Sequence, residues 1–359
     1  MPIMRFVRLL LFPFSLFYGL VIILRNIAYD YKVLKSSIFN IPIISVGNLA
    51  VGGAGKSPMT AYLANILKRN YKLAILSRGY GRETKGFLLV RADASSRETG
   101  DEPLQFKHQF PDITVAVCED RVAGIQQLEN NHELILMDDA YQHRAVKPGL
   151  SMLLFDFNKL FQNQWLLPTG DLREPLWSRK RADIIVVTKT PINLSQEDRI
   201  RSIAKIKPYP HQQVFFSYLE YGDLRHIENV SLTRHLDSIN HVSQILLLTG
   251  IANADPLLQK LRQYSDNIHH HQYPDHHAYN SKDILKLVSA YHNIAATDKL
   301  IITTEKDAQR LKDPTLKTLL NDLLIYDLPV QAMIHHPDKK KFDGLIETFI
   351  MKPSIRNNT

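Results

Sequence analysis

A single cysteine, Cys118, among 359 residues excludes an internal disulfide framework and any cysteine-based zinc cluster, and it fits a reducing compartment. Internal repeats, low-complexity tracts and long disordered linkers are missing too, so the chain is not a repeat array. Charge is not scarce but is unevenly signed. Lys and Arg number 44 against 36 Asp and Glu, a net charge of +8, which points to an anionic partner: nucleic acid, a phosphorylated ligand or an anionic membrane. The basic residues are dispersed rather than striped, so charge alone does not make a nucleic-acid surface. With 45% hydrophobic and 22% charged residues the chain buries a real core, and its length suggests two domains or one large sheet with additions.

The N-terminus lacks charge over residues 9–24, LLLFPFSLFYGLVIIL, with Arg5 and Arg8 before the run and Arg25, Lys32 and Lys35 after it. Sixteen helical residues reach only ~24 Å, against ~30 Å of bilayer hydrocarbon. Pro13 and Gly19 weaken such a helix further. No small-residue cleavage site follows, which argues against a removed signal peptide. A buried core helix is the plain alternative, but basic residues bracket the run. We read a membrane anchor, interfacial or barely spanning.

Beyond residue 40 the pattern alternates strand and helix. Apolar runs at 41–46, 73–76, 113–117, 134–137, 152–155 and 184–187 predict strands, with helices at 59–68 and 121–128 between them. A second series predicts strands at 245–248, 300–303 and 323–326 and helices at 256–264 and 283–292. Continuous apolar strands separated by helices read as a mainly parallel sheet covered on both faces, an α/β fold of the P-loop NTPase type. A smaller α/β second lobe follows a break in rhythm near residues 205–235. The expected division is an anchor helix over 1–35, a P-loop core over 36–215 and a C-terminal lobe over 216–359.

The strongest motif is SVGNLAVGGAGKSP at 45–58, leaving a predicted strand and entering a predicted helix. Ala50, Val51, Gly52, Gly53, Ala54, Gly55, Lys56 and Ser57 form the expected phosphate loop, with backbone N–H groups turned toward an anion. The helix dipole adds to the same site. Lys56 would reach the β- and γ-phosphates and Ser57 the magnesium ion. Ala50 stands where GxxxxGK[ST] has its first glycine. The run ELILMDDAYQH then places Asp138 and Asp139 after a strand, where carboxylates hold a hydrated Mg²⁺; a plain helix N-cap at Asp139 is the alternative. VVTKTP at 186–191 begins like the guanine-reading [NT]KxD but has Pro191 at the aspartate position. The signature lysine of KGGxGK[ST] partitioning ATPases is Val51 here.

With this loop occur SRGYGR (77–82), GDEP (100–103), DDAYQH (138–143), LPTGDLREP (167–175), TGIANADP (249–256), PDHHAY (274–279) and TTEKDA (303–308), in that order. Together they resemble the tetraacyldisaccharide 4′-kinase family of lipid A biosynthesis, with Ala140 departing from the usual glycine after the paired aspartates. The resemblance implies an ATP- and Mg²⁺-dependent kinase acting on an acylated glucosamine disaccharide 1-phosphate, at the cytoplasmic face of the bacterial inner membrane, with neither nucleic acid nor an obligate protein partner. It implies Asp101 as base for the sugar 4′-hydroxyl, paired with His276, His277 being the less favoured neighbour. Glu102 would join Ser57, Asp138 and Asp139 at the metal. Arg78, Arg82, Gln142, His143 and Arg173 would bind the substrate, guanidinium suiting phosphate. Asp101 and His276 are expected on different lobes. Lys306 reads as catalytic support or as part of a capped helix start, and His269–His271 as solvated surface, because adjacent strand residues face opposite sides. The competing reading from another class is a membrane-associated P-loop ATPase acting as a partner-binding switch.

Overall fold

The computed structural model describes residues 8–229, 231–239, 243–321 and 323–351; Arg5 of the basic flank and the tail 352–359 lie outside them. The first sheet includes β1 (Ile43–Asn48), β2 (Leu73–Ser77), β3 (Thr114–Val117), β4 (Leu134–Met137), β5 (Leu150–Asp156), β6 (Ile184–Thr188) and β7 (Gln213–Tyr221). They lie in the order β7-β6-β5-β1-β4-β2-β3, and strand Val330–Ile334 continues the sheet beyond β7. The pairs from β7 through β3 are parallel. Most of these strands are buried on both faces, which is why each reads as an unbroken apolar run. Helices connect them, including Lys56–Leu67 after β1 and Arg121–Leu128, whose N-cap Asp120 accepts from the N–H groups of Val122 and Ala123.

The chain folds as two compact units that differ from the expected division. The first takes the residues up to Arg78, Ile113–Leu219 and those from Ala332 onward; the second takes Gly79–Asp112 and Glu220–Gln331. Segment Gly79–Asp112 belongs to the second unit because its helix Asp101–Gln109 packs on helix Glu305–Leu311 through a ladder of polar pairs. Asp101 meets Arg310, Glu102 meets Lys306, Gln105 donates to Glu305 (3.2 Å) and His108 Nδ1 lies 2.6 Å from Gln309 Oε1. The closing helix His336–Met351 returns to the first unit, where Phe342 sits edge-on to Phe215 (5.0 Å) and Tyr62 (5.9 Å).

The second unit has its own sheet: β8 (Leu224–His226), β9 (Thr233–Arg234), β10 (Gln244–Thr249), β11 (Ile268–Gln272), β12 (Lys299–Thr304) and β13 (Ile325–Leu328). The order is β9-β8-β13-β12-β10-β11, parallel from β13 to β11. Alternation divides its core. Leu246, Leu248 and Ile301 pack with Ile284 and Leu287 on one face, while Ile245, Leu247, Leu300 and Ile302 pack with Leu257 and Leu261 on the other.

The N-terminal helix runs Phe12–Asp30, longer than the uncharged run and continuing past Arg25. Pro13 falls in its first turn, where a missing N–H costs nothing. Gly19 faces the protein so closely that a Cβ there would meet Leu166 Cδ1 at 2.8 Å. Ser15, Gly19 and Asn26 are the helix's buried residues. Ser15 Oγ donates to Thr169 Oγ1 (2.7 Å) and Tyr18 to the Arg173 carbonyl (2.9 Å). The large apolar side chains turn outward, Phe14 being 65% and Phe17 70% exposed.

Because Phe342 is wholly buried, Phe342→Ala should destabilise the first unit by about 3–5 kcal/mol. Urea unfolding followed by fluorescence of the first unit's tryptophans, Trp165 and Trp177, measures it. A loss below ~1 kcal/mol would contradict the assignment of the closing helix to that unit.

Candidate active site

In the first unit β1 lies between β4 and β5, and the loops leaving the carboxyl ends of β1 and β4 hold the candidate nucleotide residues. Gly52 (φ +93°) and Gly55 (φ +82°) occupy the left-handed region, which a side chain would strain. Ala50 is in no such conformation. It makes an isolated bridge to Leu172, and Val51 N–H donates to the Asp171 carbonyl (2.7 Å), so alanine replaces the expected first glycine without strain. The helix beginning at Lys56 has Gly55 as its N-cap, leaving its first N–H groups directed to the loop.

Lys56 Nζ donates to Asn48 Oδ1 (3.3 Å) and lies 3.6 Å from Asp139. Arg173 forks onto Asp139, with Nη2 at 2.8 Å from Oδ1 and Nη1 at 3.3 Å from Oδ2, and Nη2 also reaches Asn48 Oδ1 (2.5 Å). Burial alone would raise the Asp139 pKa, but Lys56 and Arg173 bring it below its ordinary value. Asp138 is fully buried and accepts from Thr60 Oγ1 (3.0 Å). Arg121, also buried, donates to the Cys118 carbonyl (2.5 Å) and the Asp138 carbonyl (3.4 Å). Its guanidinium is pushed down to about 10 by burial, an effect that Asp138 and Asp139 oppose.

These residues suit magnesium and ATP on chemistry alone. Ser57, Asp138 and Asp139 offer only hard oxygen donors, and a hydrated Mg²⁺ needs no more than one or two carboxylates. The left-handed glycines and open helix N-terminus make an anion cradle. Of the expected substrate residues, Gln142 donates to the Asn48 carbonyl (2.8 Å), and its own carbonyl accepts from Arg25 (2.7 Å), so it buttresses the phosphate loop. His143 is pushed down to about 4 by burial and by Arg121, Arg78 and Arg25, so it is neutral near pH 7 and not an anion-binding cation. Arg78 is exposed at the end of β2.

The second unit holds the other half of the expected chemistry. Asp101 and His276, expected on different lobes, lie in the same unit, with His276 Nδ1 3.2 Å from Asp101 Oδ2. The insertion of Gly79–Asp112 beside helix Glu305–Leu311 brings them together. Asp101 is 5% exposed. Burial alone would raise its pKa, but the hydrogen bond to His276 and the charges of Arg310 and Lys306 hold it well below the usual carboxylate range. The same hydrogen bond raises His276, against the opposing effect of burial. His276 has φ +57°, unusual for a bulky residue, and its N–H donates to the Gly250 carbonyl (3.0 Å). Such outliers persist where the surroundings over-determine them. Asp139 (φ +43°) and Lys189 (φ +57°) are two more, both beside the phosphate loop.

His277 is committed elsewhere, 2.9 Å from Asp283 and stacked on Tyr273. Glu102 stands in the second unit and is ion-paired with Lys306. Arg82, in the same unit, donates to the Gly86 carbonyl (2.5 Å). In the triplet on β11, His269 is exposed while His270 and His271 are half-buried, and His270 lies 2.8 Å from Thr249 Oγ1. Among the described residues no three metal-ligating side chains cluster. Sequence reasoning missed Asn48, Lys189 and Arg310. Lys189 pairs with Asp156 (3.0 Å) and approaches Gly53; only its position in VVTKTP marked it.

Fold and site together define a P-loop phosphotransferase. The family model described as tetraacyldisaccharide-1-P 4′-kinase matches residues 7–350. The chain is 40% identical to the tetraacyldisaccharide 4′-kinase of Phocaeicola vulgatus over 354 residues, covering 97% of this chain and 96% of the relative. It is also 40% identical to that of Flavobacterium johnsoniae over 352 residues, covering 97% and 98%. The crystal structure of LpxK from Aquifex aeolicus in complex with ATP is similar, with a TM-score of 0.73, 27% identity, and 96% of this chain and 99% of that one covered. The chain belongs to the tetraacyldisaccharide 4′-kinase family.

The raised His276 pKa links stability to pH. A group raised on folding contributes stability that is fully present below its unfolded pKa of about 6.5 and is lost as pH rises through the folded value. The Tm advantage of wild type over His276→Gln should therefore be largest near pH ~6 and shrink above the ordinary histidine range. A gap that is constant across that range, measured by calorimetry, would contradict the ion pair.

Proposed function

We propose that the chain transfers the γ-phosphoryl group of ATP to the 4′-hydroxyl of an acylated glucosamine disaccharide 1-phosphate, giving the 1,4′-bisphosphate and ADP. The observation that carries this reading is the pair of half-sites in one family member: a phosphate loop with glycines in the left-handed region, and a buried carboxylate–imidazole pair. The acceptor oxygen forms a bond to the γ-phosphorus as the bond to the departing ADP oxygen breaks, and Asp101 takes the hydroxyl proton. Lys56 neutralises charge developing across the β- and γ-phosphates. Ser57, Asp138 and Asp139 would hold magnesium, which when bound screens the phosphate oxygens. Asn48 and Arg173 fix Asp139 and Lys56 in register. His276 orients Asp101 through Nδ1.

The substrate is a lipid, and helix Phe12–Asp30 suits a lipid surface at the cytoplasmic face of the inner membrane. Its large apolar residues point outward, and its small and polar residues are used for docking onto the first unit. Nucleic acid and an obligate protein partner have no part in this reading.

Incubating the purified protein with MgATP and the acylated disaccharide 1-phosphate should add one phosphate by mass, with one ADP formed per acceptor. Lys56→Ala should lose most of that transfer while keeping its fold, by about 10²–10³-fold for a charge-stabilising group. Hydrolysis of ATP without phosphate on the sugar would instead support a partner-binding switch.

The membrane reading has a separate test. Replacing Phe14, Phe17 and Val21 with Gln should release the protein from vesicles containing anionic phospholipid and leave Tm unchanged, because these side chains are exposed. Undiminished vesicle binding would place the contact elsewhere, Lys339–Lys341 being the next basic surface.

A further inference from the structure

The Asp101 carboxylate has little accepting capacity left. Arg310 donates to Oδ2 through both Nε (3.0 Å) and Nη2, and His276 Nδ1 lies against the same oxygen. Oδ1 accepts the Glu102 N–H (2.9 Å). A carboxylate has about four acceptor sites, so the vacancy is on Oδ1. Arg310 is itself fixed, because Nη1 donates to Asp307 Oδ1 (2.7 Å) and to the Gly250 carbonyl (2.8 Å). Asp307, fully buried, is held in turn by the Gly250 N–H (3.0 Å), the Tyr279 hydroxyl (3.0 Å) and Thr304 Oγ1 (2.7 Å). The guanidinium is thus a rigid bridge between two buried carboxylates, and Arg310 and His276 line the same pocket as Asp101 and Tyr80.

We propose that Arg310 is a positioning residue for phosphoryl transfer: it occupies Oδ2 of Asp101 and so presents Oδ1 as the atom that meets the acceptor hydroxyl. This rests on the reading of Asp101 as the base. Two buried carboxylates with one guanidinium leave the cluster one positive charge short, which a protonated His276 would supply. Charged groups near this cluster also include Lys306 with its partner Glu102, Asp275, 3.8 Å from His276 Nε2, and the Arg97–Asp313 pair (2.9 Å) lining the same pocket. Lysine at 310 would keep the charge but not the planar fork, so it could not serve Asp101, Asp307 and Gly250 at once.

The test is steady-state kinetics of the full chain with MgATP and lipid acceptor, with Tm measured on every variant. Arg310→Lys should fold with a lowered Tm, because two buried carboxylates lose hydrogen bonds, and the folded protein should lose about 10–100-fold in kcat, the scale of a misplaced catalytic group. Its KM for ATP should stay within about twofold, because uniform binding is untouched. Arg310→Ala should lose more and regain part of its kcat on addition of methylguanidinium. Asp101→Asn sets the reference. If it keeps wild-type kcat, the base assignment falls and this inference with it. If it is inactive while Arg310→Lys turns over like wild type, only the inference is overturned. Combining Asp101→Asn with Arg310→Lys should cost no more than Asp101→Asn alone. Additive losses, or a fall in kcat that merely tracks the folded fraction, would overturn the positioning role.

Discussion

A carboxylate buried as deeply as Asp101 survives only if its charge is met, since an unpaired buried ion costs several kcal/mol. That constraint organises the second unit. Arg310 and His276 meet Asp101, Asp307 holds Arg310, and backbone at Gly250 takes bonds from both Arg310 and His276. The helix carrying Asp101 must therefore lie against the helix carrying Arg310, and the remaining rungs at Glu102, Gln105 and His108 follow from the one-turn spacing of both faces. Segment Gly79–Asp112, which lies between β2 and β3 in the chain, belongs to the other unit, where the buried charge of Asp101 is met.

The same constraint bears on the chemistry. A carboxylate held this far below its ordinary pKa is a weak base in solution terms. Phosphoryl transfer tolerates that, because its loose transition state asks for positioning and charge neutralisation more than for early proton abstraction. If Asp101 is the base proposed above, its orientation counts for more than its basicity, in keeping with the hydrogen bonds that fix it. In the first unit Arg173 and Lys56 do the comparable work on Asp139, sharing Asn48 as a common anchor.

Much of this was legible in the amino-acid sequence. Strands buried on both faces read as apolar runs, so β4 and helix Arg121–Leu128 were placed to the residue and the other predicted strands to within two or three. The phosphate loop was legible because its backbone angles demand glycine and its lysine and serine have fixed spacing. The capture of Gly79–Asp112 was not, since partners such as Asp101 and Arg310 are about two hundred residues apart and no periodicity encodes the contact. Arg310 escaped notice for the same reason: in EKDAQR it looks like an ordinary arginine near a helix end. Asn48 was hidden inside the strand that leads to the loop, and the pairing of Glu102 with Lys306 is invisible without the ladder.

The N-terminal helix differs in kind. In a helix packed on a water-soluble core the large apolar residues face inward and polar ones outward. Here Ser15, Gly19 and Asn26 face inward and the phenylalanines and leucines outward. Each large apolar side chain left in water forgoes roughly 1.5–3 kcal/mol, and several together rival the ~5–15 kcal/mol that holds a domain folded. Hydrogen bonds from Ser15 and Tyr18, the close approach allowed by Gly19 and the edge-on contact of Phe12 with Trp165 (5.5 Å) attach the helix to the rest of the first unit and leave most of that apolar surface outward. A docked helix with its hydrophobic side unspent fits the proposed membrane reading, in which the second apolar phase would be the bilayer that holds a lipid acceptor.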